Sequence, residues 1–280
     1  MTVETMVLLM KRRHPQKVHN TAIMGVLNMT PDSFSDGGLF LNPDQAMRHA
    51  EQMIKDGADI IDIGGQSTRP GATLLPPEEE WLRIKPVVSS LASQFPVSID
   101  TFHHDVMQSC LDYPVKMIND VSALPLSKTR KMLSETSVDV VLMHKQGQPQ
   151  VMQENPIYHH VLNEVTMVLN QQFQNCLDDG IAADRIWVDP GIGFGKTMEH
   201  NSTLLKSLPK LCQQFPKVML GISRKSYFRD LLSLESVEER VLPSAVVAAI
   251  AVMKGVRMIR THDVAVTRQA LMCAEVFSHE

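Results

Sequence analysis

Eight short apolar runs, each followed by an amphipathic stretch, constrain this chain more than any other feature. The runs Ala22–Leu27, Ile60–Gly64, Val97–Asp100, Lys116–Asn119, Val138–His144, Ile186–Asp189, Val218–Ile222 and Arg257–Thr261 are rich in β-branched residues and apolar on both faces. Strands of a parallel sheet covered on both sides have this pattern. Helical periodicity fills the intervals. Pro43–Asp56 opens after an Asn42 cap and stops at Gly57, and Pro76–Phe95 opens on an acidic first turn, both ordinary helix boundary signals. Further helices are expected over His104–Asp112, Ser127–Glu135, Ile157–Asp179, Met198–Phe215, Ser226–Leu232, Pro243–Lys254 and Val264–Phe277.

Unbroken alternation with eight strands predicts an α/β fold, the TIM (β/α)8 barrel. An open doubly wound sheet is the alternative. It normally has fewer strands and a G-x-G-x-x-G first turn, which is missing here. No linker, repeat or low-complexity segment divides residues 1–280, so one domain is expected, with residues 1–20 as an N-terminal extension. A chain of this length buries roughly three quarters of its unfolded surface.

The net charge is −4 with no basic run, which gives no reason to expect a nucleic-acid partner. The longest apolar stretch, Ala245–Met253, is about half of what a membrane span needs. Cys110, Cys176, Cys212 and Cys273 are far apart and form no CxxC pair. Reduced thiols and a cytoplasmic location are the expectation. Most of the 18 methionines fall at apolar helix or strand positions and read as adaptable core filler.

The polar residues with the most chemistry all follow the C-terminal end of an expected strand: Asn28, Asp62, Asp100, Asn119, His144, Asp189, Lys225 and the pair Arg260/His262. Any one of them could be a capping residue. In a barrel all face one rim, where active sites are built. Asp100, Asn119 and Asp189 suit the amide-and-amine edge of a flat heterocycle, and Lys225 supplies donors for ring acceptors. Arg69, Arg260 and His262 suit an anion. Asn28, Asp32 and Asp36, in a loop ending at Gly37-Gly38, offer the hard oxygens Mg²⁺ prefers. Heterocycle, anion and metal together suggest transfer of a carbon that bears pyrophosphate. The run Gly191-Ile-Gly-Phe-Gly-Lys196 lacks P-loop spacing and reads as a sharp turn presenting Phe194.

The motifs N-M-T-P-D-S-F-S-D-G-G, D-I-G-G-Q-S-T-R-P-G-A, V-S-I-D-T, I-N-D-V, L-M-H, D-P-G-I-G-F-G-K, G-I-S-R-K-S and R-T-H-D-V occur in this order from Asn28 to Val264. With them, nearly everything from Met24 onward resembles the bacterial dihydropteroate synthases, pterin-binding transferases of folate biosynthesis. The resemblance implies a TIM barrel and a homodimer. It implies condensation of 6-hydroxymethyl-7,8-dihydropterin pyrophosphate with 4-aminobenzoate, giving 7,8-dihydropteroate and pyrophosphate. It places Asn28, Asp36, Arg69, Lys225, Arg260 and His262 at the reacting centre, with Asn28 holding Mg²⁺. Asp100, Asn119, Asp189 and Lys225 would grip the pterin beside Met143. Thr68, Arg69, Arg260 and His262 would hold phosphates or closing loops. Phe34, Pro70, Phe194, Lys225 and Ser226 would border the aminobenzoate pocket, where sulfonamides compete in this family.

The chain departs from that family at Gln66, where Glu is usual, at Lys145 for a second Met, at Thr261 for Val, and at Pro243-Ser244 for Gly-Ser. Gln66 is the one feature favouring a pterin-binding paralogue without turnover. Barrels that move a methyl group from methyltetrahydrofolate are a second rival, opposed by Arg69, Arg260, His262 and S-R-K-S. The doublets His103-His104 and His159-His160 have no spaced Cys or His partners and are expected to be solvated helix-start residues rather than a metal site.

Overall fold

A computed structural model of the chain describes residues 21–30, 43–66, 74–147 and 156–277. Eight parallel strands form its centre: β1 (Ala22–Asn28), β2 (Ile60–Gly64), β3 (Val97–Asp100), β4 (Met117–Asp120), β5 (Asp139–Met143), β6 (Ile186–Asp189), β7 (Met219–Gly221) and β8 (Met258–Thr261). Their order is β6-β5-β4-β3-β2-β1-β8-β7. The two ends of that order meet at a parallel bridge between Val188 and Val218, where Val188 N–H donates to Lys217 O at 3.0 Å. The sheet therefore closes into the expected barrel.

Between the strands lie α1 (Pro43–Lys55), α2 (Pro77–Leu91), α3 (His104–Cys110), α4 (Ser127–Ser134), α5 (Val161–Asp178), α6 (Met198–Lys206), α7 (Leu208–Gln214), α8 (Ser226–Leu232), α9 (Val241–Met253) and α10 (Val264–Val276). Two helix expectations need correction. Met198–Phe215 is not one helix but two, meeting at Ser207. Pro209 has no N–H to give the carbonyl of Leu205, and Lys254 Nζ donates to that oxygen instead, at 3.1 Å. The helix expected from Ile157 begins at Val161, after Glu164 reaches back to accept the His160 N–H at 2.8 Å.

Alternation along the strands sorts their side chains into two sets. Ile61, Ile63, Val97, Ile99, Ile118, Val140, Leu142, Ile186, Val188, Leu220 and Ile259 pack with the helices in the large core. Met24, Ile60, Met117, Val141, Trp187, Met219 and Met258 form a smaller cluster, enclosed by the strands. Trp187 closes its floor: the indole N–H donates to Asp139 Oδ2 at 2.8 Å, and Lys217 Nζ lies 4.9 Å above the ring. Two residues further along the same strands the interior turns polar, at Asp62, Asn119, Asp189 and Arg260. The apolar layer is thus a rigid base for a charged one.

Candidate functional site

The polar layer is organised around Arg260. Its Nε donates to Asp62 Oδ2 and its Nη2 to Asp100 Oδ2, each at 2.7 Å. Asn119 Nδ2 donates to the same Asp62 oxygen at 3.0 Å, so β2, β3, β4 and β8 are tied across the barrel mouth. Arg260 thus commits Nε and Nη2 to carboxylates, which leaves Nη1 for the anion expected there. Two of its nitrogens are held by carboxylates that would otherwise be buried without a counter-charge. Burial, outweighed by those two carboxylates, leaves the guanidinium even harder to deprotonate than usual.

Burial pushes the Asp100 carboxyl up to about 7, Asp62 and Asp120 adding repulsion against the pull of Arg260. Burial raises Asp189 as well, although Gly191 N–H donates to its Oδ1, at 2.7 Å. Gly221 leaves room beside Asp189 Oδ2, which would sit 3.5 Å from a Cβ there. Burial lowers Lys225 to about 8, Asp189 opposing the shift and Arg260 adding to it. Carboxylates easily protonated and an ammonium easily deprotonated describe a cavity that wants neutral donors and acceptors from a ligand.

Lys225 is placed by an unusual turn. Arg224 before it has φ 56°, a left-handed conformation costly for a side-chain-bearing residue. Arg224 N–H donates to Ser244 Oγ at 2.9 Å, and its guanidinium pairs with Asp263. Lys225 then swings over Phe194, its Nζ 4.1 Å from the ring centroid. Ser226, the exposed first residue of α8, follows.

His262 lies beside Arg260 at the end of β8. Burial, with Arg260 and Arg224 adding, lowers its imidazole to about 3, which favours the neutral ring. Ser223 Oγ accepts the His262 backbone N–H at 3.1 Å and lies 3.1 Å from Nδ1. A Ser223 hydroxyl that donates to Nδ1 would place the ring proton on Nε2.

Asn28 ends β1, half-buried and level with Gly64. Its side chain makes no hydrogen bond to a described residue. Met143 is buried at the end of β5. The expected site residues Phe34, Asp36, Thr68, Arg69 and Pro70, with Asp32, lie outside the described residues. No cluster of three His, Cys, Asp or Glu side chains suited to a metal occurs among the described residues.

Gln66 is buried and its Oε1 accepts Leu75 N–H at 2.7 Å. A carboxylate oxygen would accept the same bond, so Gln anchors the second loop as Glu would. The histidine doublet at 103–104 is not solvated as expected. His104 Nδ1 lies 2.9 Å from Thr129 Oγ1, and His103 stacks on Phe102 and faces Glu80 Oε2 at 3.8 Å. Three functional features were missed in the sequence: the Asp62–Arg260 pair, the Ser223 support of His262, and Lys196, which is buried behind Phe194. Only Lys196 had a signal, a cation ending a glycine-rich run.

A family model described as "Pterin binding enzyme" matches residues 24–262. The dihydropteroate synthase of Neisseria meningitidis serogroup C is 43% identical over 259 residues, 90% of this chain and 91% of that one. The Xanthomonas albilineans dihydropteroate synthase solved with 4-aminobenzoic acid superposes with TM-score 0.87 at 38% identity, covering 94% of this chain and 95% of that one. The Yersinia pestis dihydropteroate synthase solved with a sulfonamide drug gives TM-score 0.87 at 38% identity, covering 94% and 96%. By fold, by the layout of its barrel mouth and by likeness along nine-tenths of its length, this chain belongs to the pterin binding enzymes, among the dihydropteroate synthases.

Proposed function

We propose that the chain joins 4-aminobenzoate to the methylene carbon of 6-hydroxymethyl-7,8-dihydropterin pyrophosphate, releasing pyrophosphate. The observation that carries this reading is the ring of Asp100, Asn119, Asp189 and Lys225 at the barrel mouth. Asp100 and Asp189 accept pterin N–H groups. Asn119 spends one Nδ2 hydrogen on Asp62, which leaves its Oδ1 to accept. Lys225 donates to the ring carbonyl or imine. These bonds replace the water that burial has removed, and they orient the methylene toward the Phe194 side.

The carbon–oxygen bond to pyrophosphate breaks, the carbon–nitrogen bond to the arylamine forms, and the resulting arylammonium releases its proton. The amine is already a nucleophile, so no strong base is needed. Stabilising the departing anion is the larger demand. Arg260 Nη1, which bonds neither carboxylate, and the neutral His262 Nε2–H supply donors there.

Asn28 fits Mg²⁺ in the way that ion is usually held, through one or two protein oxygens together with waters and substrate phosphates. Its carboxamide has no other described partner. Bound there, the ion would supply Lewis-acid neutralisation of the leaving group. The resemblance-based roles of Asp36, Thr68, Arg69, Phe34 and Pro70 belong to the loops that would close over the site and exclude water. Ser226 and Phe194 border the 4-aminobenzoate pocket in this reading, and sulfonamides compete at it.

A homodimer is supported by α9 and α10, which expose Leu242, Val246, Ile250, Met253, Met272 and Val276, large apolar side chains of the kind found at interaction surfaces. Four free thiols support a cytoplasmic location, and among the described residues no helix is long and apolar enough to cross a membrane. The test is pyrophosphate release by the purified chain with both substrates, with and without Mg²⁺. Turnover needing both substrates and the metal is the expected result. Pterin binding without turnover would overturn the reading and make Gln66→Glu the next variant.

A further inference from the structure

Three glycines fold the segment after β6 back over the end of β5: Gly191 (φ 67°), Gly193 (81°) and Gly195 (62°). A Cβ on Gly191 would lie 1.8 Å from His144 O, and one on Gly195 would lie 2.3 Å from Gln146 O. The turn points the carbonyls of Gly191 and Phe194 inward. Between them sits Lys196, 3% exposed. Its Nζ is 2.9 Å from Gly191 O, 3.0 Å from Phe194 O, 3.3 Å from His144 O and 3.0 Å from His144 Nδ1.

A buried ammonium is very costly unless its donors are satisfied. Here three protons meet four acceptors, and all four belong to the turn or to the strand end it covers. The Lys196 amine is therefore the core around which the turn is built, with burial lowering it to about 7. No proton remains for a phosphate, despite the glycine-rich spacing. On the outer side, Asn201 Oδ1 accepts Gly193 N–H at 2.9 Å, and Tyr158 O–H donates to Gly195 O at 3.0 Å.

The turn carries half of one wall of the site. Phe194 lies under Lys225 Nζ, and a Cβ on Gly193 would be 3.3 Å from Lys225 Cδ. Asp62, Asp100, Asn119 and Arg260 are mounted on strands and do not depend on it. We propose that Lys196 is a positioning residue, whose ammonium holds residues 190–195 so that Phe194 and Lys225 form the wall of the 4-aminobenzoate pocket. The inference rests on the reaction proposed above.

Two readouts on the full chain test it, one independent of turnover. In Lys196→Met, hydrogen exchange of the 189–197 backbone should accelerate while the other barrel strands keep their protection. The KM for 4-aminobenzoate should rise roughly tenfold, the worth of one lost charge-assisted hydrogen bond, and pterin affinity should fall by less, because the turn reaches the pterin only through Lys225 and through Gly191 N–H on Asp189. Lys196→Gln, which keeps two donors, should show a smaller shift of the same kind and serves if the Met variant does not fold. Unchanged exchange, or an unchanged KM for 4-aminobenzoate, would overturn the assignment. So would failure of both variants to fold, which would make Lys196 a stability residue. If the wild-type chain shows no synthase turnover, the reaction reading fails, whereas the exchange experiment still decides whether Lys196 holds the turn.

Discussion

Replacing Arg260 by Met should damage stability in a way that depends on pH, and the sign follows from the barrel mouth. Arg260 is the shared counter-charge of Asp62 and Asp100, whose side chains are 0% and 10% exposed. Removing one partner of a buried ion pair costs about 3–5 kcal/mol. Arg260 itself is 21% exposed, so screening argues for the middle of that range, about 4 kcal/mol. A chain of 280 residues unfolds with an entropy of about 0.6 kcal/mol/K, from roughly 2 cal/mol/K per residue. The melting temperature at pH 8 should therefore fall by about 7 °C. Asp100 already sits near 7 with Arg260 pulling it down, so without the guanidinium it rises further. A carboxyl raised in the folded state binds a proton there that the unfolded chain has released, so its stability contribution is present at low pH and lost as pH rises through the folded value. The deficit of Arg260→Met should accordingly shrink toward pH 5 and widen toward pH 8. Differential scanning calorimetry of both proteins across that interval measures it. A drop independent of pH, or a melting temperature within about 2 °C of wild type at pH 8, would mean that Arg260 is not the counter-charge that the two carboxylates require.

The same mouth predicts a bell-shaped profile of kcat/KM for the pterin substrate. Activity falls below about 7, where Asp100 takes a proton, and above about 8, where Lys225 loses one; a plateau from pH 6 to 9 would deny both groups their roles. Ser223→Ala should release His262 from its tautomer and lower kcat/KM roughly tenfold, with pterin affinity by calorimetry unchanged. Gly191→Ala forces a Cβ to within 1.8 Å of His144 O, and the displaced turn should lower turnover by roughly a hundredfold in a protein whose circular dichroism still reads as a barrel.

The barrel was legible because buried parallel strands announce themselves as short β-branched runs, and all eight were located to within a residue or two. The same short-range logic failed where a single residue outweighed the pattern. Pro209 split a helix whose apolar periodicity runs on without a break. Rim membership of Asp62, Asp100, Asn119, Asp189 and Arg260 was also readable, because it needs only the position of a strand's end. Who partners whom was not. Arg260 and Asp62 are 198 residues apart, and only closure of the sheet between β1 and β8 brings them together. Lys196 read only as the end of a sharp glycine-rich turn, since nothing local shows that four acceptors converge on its amine. His103 and His104 looked solvated for the same reason: Glu80 and Thr129 come from other segments of the chain.

The two interior layers also explain why a stable barrel keeps an unfavourable mouth. Asp100 and Asp189 are both raised by burial, and Lys225 is lowered by it, so each is held in an environment that penalises its charge. Asp62 adds a buried oxygen, Oδ1, with no hydrogen-bond partner among the described residues. The floor beneath, from Met24 to Met258, contains the aliphatic and aromatic bulk that can absorb those penalties, because burial of a single large side chain stabilises by about 2–3 kcal/mol. A ligand rich in N–H donors and ring acceptors relieves the penalties when it enters, and that relief is binding energy specific to such a ligand. An aliphatic ligand of the same size would leave these penalties unrelieved. On the proposed assignment, selectivity for a pterin-like ring comes from polar groups kept poorly solvated in the free enzyme, over an apolar layer that stabilises the arrangement.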